Sequence, residues 1–439
     1  MNIDLLQQKI KTLLDNSDFS LYLKKIWVYK ESTLVSDFEV DGIKFALDYN
    51  FDNEGKLRIY LVDRNWNTNF FINKSYNKKF LMKKSLDLLL LDTELLSLLK
   101  IIIDSILKNY SVKISVIVPV YNRENLISKC INSLINQTLD KSIFEVIFVD
   151  DCSRDNTVSK IQELCSNKLN FYILKRPVGS GNACAPRNDG IKKAIGRYIF
   201  FLDSDDYLAD NCLESTLAFA QANDSDVTFI KIGSDIDHPR SIPTRTFKNG
   251  SVGKATVYKN NLMRSNAVFK FYKRDFILKN KFSFDQSIPL REDKIFSVQV
   301  LSKTNKVSIL ADQPYIFVTG HEGDHLSRAS HDIFLESIIY PNGYNCIYLS
   351  DLNEEHCNEL FNAWSIIVME RLENIIKSKK INEADKERFF NKVLINFNSE
   401  RYFLNEKYIY KNLRKYIPSI QCKNFKDFKA KVLEVEENV

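Results

Sequence analysis

The 439-residue chain is 44% hydrophobic and 27% charged, with a formal net charge of +6. That balance excludes a disordered chain, and so mild a basic excess excludes a dedicated nucleic-acid binder, which carries a clustered basic stripe. With only 12 glycines and 9 prolines the chain is neither collagen-like nor linker-like, and its length suits two or three domains.

Residues 1–110 read as a small α+β accessory module. A helix is predicted over residues 3–15, whose acidic residues and short apolar runs do not make a secretory signal. Tyr22–Tyr29, Phe38–Tyr49 and Leu57–Val62 alternate apolar and polar residues, as half-buried strands do. Asp52-Asn53-Glu54-Gly55 is a turn between two of them. Leu86 to Leu107 is helical in pattern, but Asp87, Asp92, Glu94, Lys100 and Asp104 interrupt it. A membrane span needs roughly 20 nearly uncharged residues. The stretch fits a buried amphipathic helix, with an interfacial helix as the alternative.

From Val112 the pattern becomes strand, helix, strand, helix. Ile114–Pro119 is a continuous apolar run of the kind covered on both faces, Phe144–Val149 is a second buried strand, and Phe171–Leu174 and Tyr198–Leu202 are the third and fourth strands. Helices are predicted over Leu126–Gln137, Asn156–Ser166 and Asn188–Ile195. This is an α/β pattern, a parallel sheet with helices on both faces. Ligands of such sheets bind outside the carboxyl ends of the strands. The site candidates are therefore Tyr121 and Asn122, Asp150 and Asp151, then Asp203 and Asp205. Residues 230–330 mix short strands and helices. From Ile333 the chain is helical, with one stripe at Trp364, Ile367, Val368, Arg371, Leu372 and Ile375, and another at Phe389, Phe390, Val393 and Leu394.

Four constellations carry chemistry. Asp203 and Asp205 follow a buried strand at i, i+2, a spacing that points both carboxylates the same way. Oxygen ligands of this kind suit Mg²⁺ or Mn²⁺ with a substrate phosphate, and an acidic turn or helix cap is the alternative. Arg291-Glu292-Asp293-Lys294 opens a helix; its acids are either favourable helix-terminus charge or a general base. Gly179 to Gly190, with Asn182 and Arg187, suits a diphosphate or a carboxylate near a helix start. Gly320 to Arg328 holds His321 and His325 at no zinc spacing and reads as a polar site loop. His238, His331 and His356 have no partner assignable from sequence. The eight cysteines form no CxxC pair and read as reduced, mostly buried thiols of a cytoplasmic protein.

Val116-Ile-Val-Pro-Val-Tyr-Asn122, Gln137-Thr138, Val149 to Asn156, Phe200 to Asp206 and Glu292-Asp293 occur in the order seen in inverting family 2 glycosyltransferases of GT-A fold. The chain resembles that family over about residues 112–330. Ser180 to Asn188, Ser241-Ile-Pro, Lys248 to Lys254 and His325-Leu-Ser327 are most similar to wall teichoic acid enzymes that put N-acetylglucosamine on poly(ribitol phosphate). The resemblance implies a GT-A, Rossmann-like catalytic domain over 111–332, between the module at 1–110 and a helical domain at 333–439. It implies an inverting UDP-sugar-dependent hexosyltransferase using Mn²⁺ or Mg²⁺, with UDP-GlcNAc as donor and an anionic cell-surface polymer as acceptor.

By the same resemblance Asp203 and Asp205 hold the metal. Pro119, Tyr121, Asp151, Asn182, Arg187, Asp203 and Ser204 contact the nucleotide sugar. Asp293 is the base, with Glu292 beside it. His325, Arg291, Ser327 and Arg328 lie against the acceptor or a phosphate. No nucleic acid is implied. Acceptor binding, homo-oligomerisation and peripheral docking at the inner membrane face are open roles for the flanking regions. The alternatives are a capsular, lipid-linked or glycoprotein acceptor, or a non-catalytic nucleotide-sugar module. Lys248, Lys254, Arg264, Lys270, Lys273, Arg274, Arg291 and Arg328 form either a basic groove for a polyanion or an ordinary solvated face.

Overall fold

The computed structural model describes residues 3–17, 20, 23–29, 33–40, 43–51, 57–63, 78–84, 95–97, 99–101, 112–288, 290–320, 333–395 and 402–434. The chain divides into two compact units, residues 1–112 and 113–439. The first holds helix α1 (Ile3–Asp15) and a five-stranded antiparallel meander of β1 (Leu23–Tyr29), β2 (Thr33–Val40), β3 (Ile43–Phe51), β4 (Leu57–Asp63) and β5 (Lys78–Lys84). Leu6, Ile10 and Leu14, at i, i+4 spacing, are fully buried on one face of α1, as are Leu34, Leu47 and Tyr49 in the sheet.

Two readings of this unit change. Phe38–Tyr49 is not one strand: β2 and β3 pair antiparallel with Val40 opposite Ile43. The intervening Asp41-Gly42 is a dipeptide that favours two-residue hairpins. Directly paired residues share a face, so the buried set passes from even positions on β2 (Leu34, Phe38) to odd ones on β3 (Leu47, Tyr49), a one-residue change of phase. The lysine-rich β5 was not anticipated, because four of its seven residues are charged. The turn at Asp52–Gly55 and most of Leu86–Leu107 lie outside the described residues.

The second unit is built on a seven-stranded mixed sheet. Its strands are β6 (Ile114–Val120), β7 (Phe144–Asp150), β8 (Phe171–Lys175), β9 (Tyr198–Phe201), β11 (Val227–Ile230), β13 (Lys270–Lys273) and β14 (Val307–Leu310). The spatial order is β14-β11-β13-β9-β6-β7-β8, with β13 antiparallel to both neighbours and every other pairing parallel. A small second sheet joins β10 (Tyr207–Leu208), β15 (Ile316–Val318) and β12 (Ile232–Ser234). The apolar runs of β6, β7 and β9 are buried almost throughout. Each such Val, Ile or Phe contributes roughly 1.5–3 kcal/mol of transfer free energy.

Helices α2 (Ile127–Ile135), α3 (Thr157–Cys165) and α4 (Cys184–Lys193) connect the first four strands of this sheet. Helix α4 begins four residues before the predicted Asn188. Pro186 is its third residue, where no intrahelical N–H bond is required. At Gly190 an added Cβ would lie 2.4 Å from Ile117 Cγ2, so only glycine lets α4 approach β6 this closely.

Helices α5 (Cys212–Ala222), α6 (Arg274–Lys279) and α7 (Glu292–Leu301) complete the α/β part. The chain then continues into α8 (Ile333–Tyr348), α9 (Glu354–Lys377) and α10 (Glu383–Leu394). Both predicted C-terminal stripes are present: Trp364, Val368 and Leu372 are fully buried on α9, and Phe390, Val393 and Leu394 on α10. Trp364 Nε1 donates to Tyr340 O at 3.0 Å and fixes α9 to α8. His356 is buried with Nε2 2.7 Å from Leu301 O, tying α9 to the end of α7. All eight cysteines are free. Among the described residues no helix is long and apolar enough to cross a membrane.

Candidate active site

The candidate residues gather at the carboxyl ends of β6, β7 and β9. Leu202 N donates to Ile117 O at 3.0 Å, so residue 119, two further on, turns the same edge toward β9. The β6–β9 pairing ends at Ile117 opposite Phe201, so Pro119 removes no ladder bond there. Beyond the strand ends the backbone is left-handed at Asn122 (φ 50°) and Cys152 (φ 70°). Non-glycine residues rarely adopt that region, and such strain clusters at functional sites. Asn122 Oδ1 accepts from Arg154 N at 2.8 Å, which joins the two turns. Tyr121 is 47% exposed beside them, an unusually open position for a tyrosine at the end of a buried strand.

Asp151 is buried and its carboxylate is fully employed. It accepts from Ser180 N (2.9 Å), Ser180 Oγ (2.9 Å) and Gly181 N (3.3 Å), and pairs with Arg176 at 2.5 Å. Arg176 also reaches Asp189 at 2.9 Å. Asp151 thus holds the glycine-rich segment against the end of β7. Asn182 Oδ1 accepts from Cys184 N at 2.9 Å and satisfies one of the open amides at the start of α4.

Arg187 is the centre of the site. Its side chain is 6% exposed, with Nη2 2.8 Å from Asp203 Oδ1 and Nη1 2.6 Å from Glu292 Oε1. The guanidinium lies 5.3 Å from the centroid of Phe284, which stacks on Phe296 of α7. Its neighbour Asn188 exchanges two 2.8 Å hydrogen bonds with the Phe284 backbone, so the Arg187-Asn188 pair clamps the approach to α7. Burial raises the carboxyls of both Glu292 and Asp293 above the ordinary carboxylate range; Arg187 partly offsets this at Glu292, and Lys294, then Arg187, at Asp293. A carboxylate raised toward neutrality is what a general base requires.

Asp206, one residue beyond the paired aspartates, is buried and accepts from Thr319 N at 2.9 Å. Burial, then the charges of Asp205 and Asp203, push its carboxyl well up. Three acids crowded at one strand end repel one another, and a divalent cation on Asp203 and Asp205 would relieve that repulsion. Asp203 is 34% exposed at its side chain. Among the described residues no three His, Cys, Asp or Glu side chains form a metal cage. One or two carboxylates completed by a diphosphate is the arrangement Mg²⁺ commonly takes, and Asp203 with Asp205 fits it.

The structure therefore brings together Pro119, Tyr121, Asp151, Asn182, Arg187, Asp203, Ser204, Asp205, Glu292 and Asp293 around the strand ends and the start of α7. Arg291 instead turns to α8, where it pairs with Glu336. His325, Ser327 and Arg328 lie outside the described residues. Among the described residues, the basic residues of 245–330 do not form one groove. Lys270 is buried, Lys273 pairs with Asp224, and Arg264 pairs with Glu370. Sequence reasoning missed Arg176, although it follows the end of β8 as the other candidates follow their strands. It also missed Asp206 and the part played by Glu336, which only packing brings to Arg291.

Residues 115–287 match the family described as Glycosyl transferase family 2. The chain is 37% identical over 222 residues to a poly(ribitol-phosphate) beta-glucosyltransferase of Bacillus spizizenii, covering 49% of this chain and 34% of that protein. It is 35% identical over 217 residues to the poly(ribitol-phosphate) beta-N-acetylglucosaminyltransferase TarS of Staphylococcus aureus, covering 49% and 37%. The chain thus spans about a third of the length of these curated relatives. The crystal structure of S. aureus TarS residues 1–349 in complex with UDP-GlcNAc superposes with a TM-score of 0.66 at 26% identity, over 74% of this chain and 92% of that one. The GT-A fold of that neighbour is the fold of the α/β unit described above.

Proposed function

Residues 115–287 of this chain constitute a family 2 glycosyltransferase domain, and on that premise we propose that it moves a sugar from a UDP-sugar onto a hydroxyl of poly(ribitol phosphate), with inversion at the anomeric carbon. The observation that carries the reading is the Arg187 bridge, which ties Asp203 at the end of β9 to Glu292 at the start of α7. A transferase needs its leaving-group site and its base held at one distance, and a single buried guanidinium sets that distance here.

Asp203 and Asp205 are read as the residues that would hold Mn²⁺ or Mg²⁺ against the donor diphosphate. Such an ion, when bound, neutralises charge on the departing UDP. Tyr121, with Pro119 and Asp151, forms the wall against which the uracil and ribose would lie. Asp293 accepts the proton of the attacking hydroxyl while that oxygen approaches the anomeric carbon from the face opposite UDP. One displacement of this kind turns an α-linked donor into a β-linked product. Glu292 keeps Arg187 in place and is the positioning partner of Asp293.

The donor is read as UDP-GlcNAc, in line with the sugar bound to the TarS neighbour. The Bacillus relative is a glucosyltransferase, which makes UDP-glucose the specific alternative. Eight free cysteines support a reducing, cytoplasmic setting. The unit at 1–112 and the helices after Ile333 are read as accessory parts of the same enzyme.

The test is UDP release by the purified chain with Mn²⁺ and a panel of UDP-sugars, with and without poly(ribitol phosphate). Release that rises with this acceptor supports the proposal and identifies the donor. Release indifferent to it redirects the acceptor to a capsular, lipid-linked or glycoprotein hydroxyl. Absence of release with every donor refutes transfer.

A further inference from the structure

A cavity of about 320 Å³ opens beside the start of α7, between it, the segment 263–266 and helices α8 and α9. Its walls carry Arg264, Arg291, Lys294 and Arg371, together with Asn266 and Asn374. Three carboxylates stand near these four cations, Glu370, Glu336 and, next to Lys294, Asp293. Arg264 takes Glu370 through two 2.6 Å bonds. Arg291 and Arg371 share the buried Glu336. Lys294 differs: among the described residues its ammonium makes no hydrogen bond and no ion pair, and the charges of Asp293 and Glu336 reach it only through space. Desolvation, and then the Arg291 charge, lower its pKa. A half-buried cation that forms no direct pair is held at a cost, and that cost marks a position suited to meet an anion.

The start of α7 distributes its residues to two sides. Glu292 faces Arg187 and the strand ends. Arg291 and Lys294, three apart and so on the same helix face, line the cavity. Asp293 lies between these two in the sequence, with its Oδ1 2.8 Å from Lys294 N. Arg291 itself is held at φ 62°, a conformation non-glycine residues rarely adopt, which aims the chain from the loop into the helix at this point.

We propose that this cavity is a phosphate subsite for the acceptor: it takes one phosphodiester of an acidic polymer and thereby presents the neighbouring polyol hydroxyl to Asp293. The inference deepens the glycosyl-transfer reading and rests on it for the identity of the acceptor. The cavity's location supports that link, because its lining begins at the residues flanking the base. Its charge supports the class of ligand, because a net excess of guanidinium and ammonium recognises phosphate.

The test uses the full chain with two probes, inorganic phosphate and a synthetic ribitol-phosphate oligomer, read by thermal stabilisation at constant ionic strength. Lys294→Met removes the unpartnered charge at nearly constant volume. Asn374→Asp puts a negative charge on the exposed rim of the wall and guards against misfolding of the first variant. Each variant is expected to raise the half-saturating oligomer concentration tenfold or more. Lys294→Met is also expected to melt no lower than wild type without ligand, which a lysine kept for the fold would not do. UDP affinity in Mn²⁺, measured alongside, checks the donor site.

Oligomer affinities within twofold of wild type in both variants would overturn the subsite. So would inorganic phosphate that competes as tightly as the oligomer, since that assigns the cavity to a free anion. If the oligomer binds, loses affinity in both variants, yet never receives sugar, the subsite stands and the transfer reading falls. If it receives sugar with one KM in all three proteins, transfer stands and the subsite falls.

Discussion

Arg187 on α4 bonds Asp203 and Glu292 at once, at 2.8 and 2.6 Å, although these residues are brought by β9 and by α7. The carboxylate assigned to the donor end and the one beside the base thus share a single buried cation. The arrangement gives the site one rigid dimension, because neither acid can move without leaving a charge unpaired.

Replacing Arg187 by Met removes that cation and leaves two acids facing each other. Breaking a buried pair from one side costs about 3–5 kcal/mol. Asp203 is 34% exposed, so the low end applies. We expect urea unfolding to report a loss of about 3 kcal/mol, and kcat/KM to fall at least about a hundredfold through misplacement of the reacting groups.

Asp293→Asn keeps the size of the side chain and removes the base. Positioned proton transfer contributes about 10²–10⁴-fold, and kcat should fall by that factor. UDP affinity should stay within about twofold, since Asp293 lies outside the donor residues. Undiminished transfer would remove Asp293 from the mechanism.

The pH dependence follows from the raised carboxyls of Asp293 and Glu292. A base must be ionised, so kcat/KM should rise with pH, with its midpoint above the ordinary Asp value of about 3.9. Stability has the opposite sign. The folded state disfavours the charged forms, so the contribution of these groups is complete below their unfolded pKa values and is lost as pH rises through the raised folded ones. Asp293→Asn should remove the acid limb of the rate profile and flatten that loss in urea titrations across the same window.

Asp205 and Asp206 are neighbours with different duties. Asp205→Ala should weaken Mn²⁺-dependent UDP binding tenfold or more in calorimetric titrations. Asp206→Asn should leave it within about threefold, because Asp206 is buried, pushed toward its neutral form and occupied with Thr319 N. An Asn oxygen can accept that same hydrogen bond.

Gly190→Ala tests the packing beneath the site. The added methyl would meet Ile117 Cγ2 at 2.4 Å. Overpacking of this kind costs about 1–3 kcal/mol. Helix α4 must shift from β6, and Arg187, one turn before Gly190, shifts with it. A lower unfolding midpoint together with reduced transfer is the expected pair of results.

Much of this was legible in the chain itself. Buried parallel strands announce themselves as unbroken apolar runs, and the carboxyl ends of such strands are where ligands bind, so Tyr121, Asp151, Asp203 and Asp205 could be named from their positions alone. Glu292-Asp293 could be named as a pair opening a helix. The hairpin at Val40–Ile43 shifts the period-two pattern by one residue, from even positions on β2 to odd ones on β3, and a shift that small is easily read as one continuous strand. Helix α4 starts at Cys184, ahead of the expected Asn188, because the first turn of a helix tolerates Pro186.

What the sequence determined by itself is therefore local: the period of each element, and the polar residue standing at each strand end. Which charges meet was decided by the tertiary structure. Arg187 and Glu292 are 105 residues apart in the chain, and Arg291 and Glu336 are 45 apart. Nothing in the local pattern ties either pair together. They meet because burying the apolar faces of α4, α7 and α8 leaves these side chains away from bulk water, where an unpaired charge is too costly to persist. The same packing placed Lys294 beside the base with no direct ion pair, on the wall of the cavity.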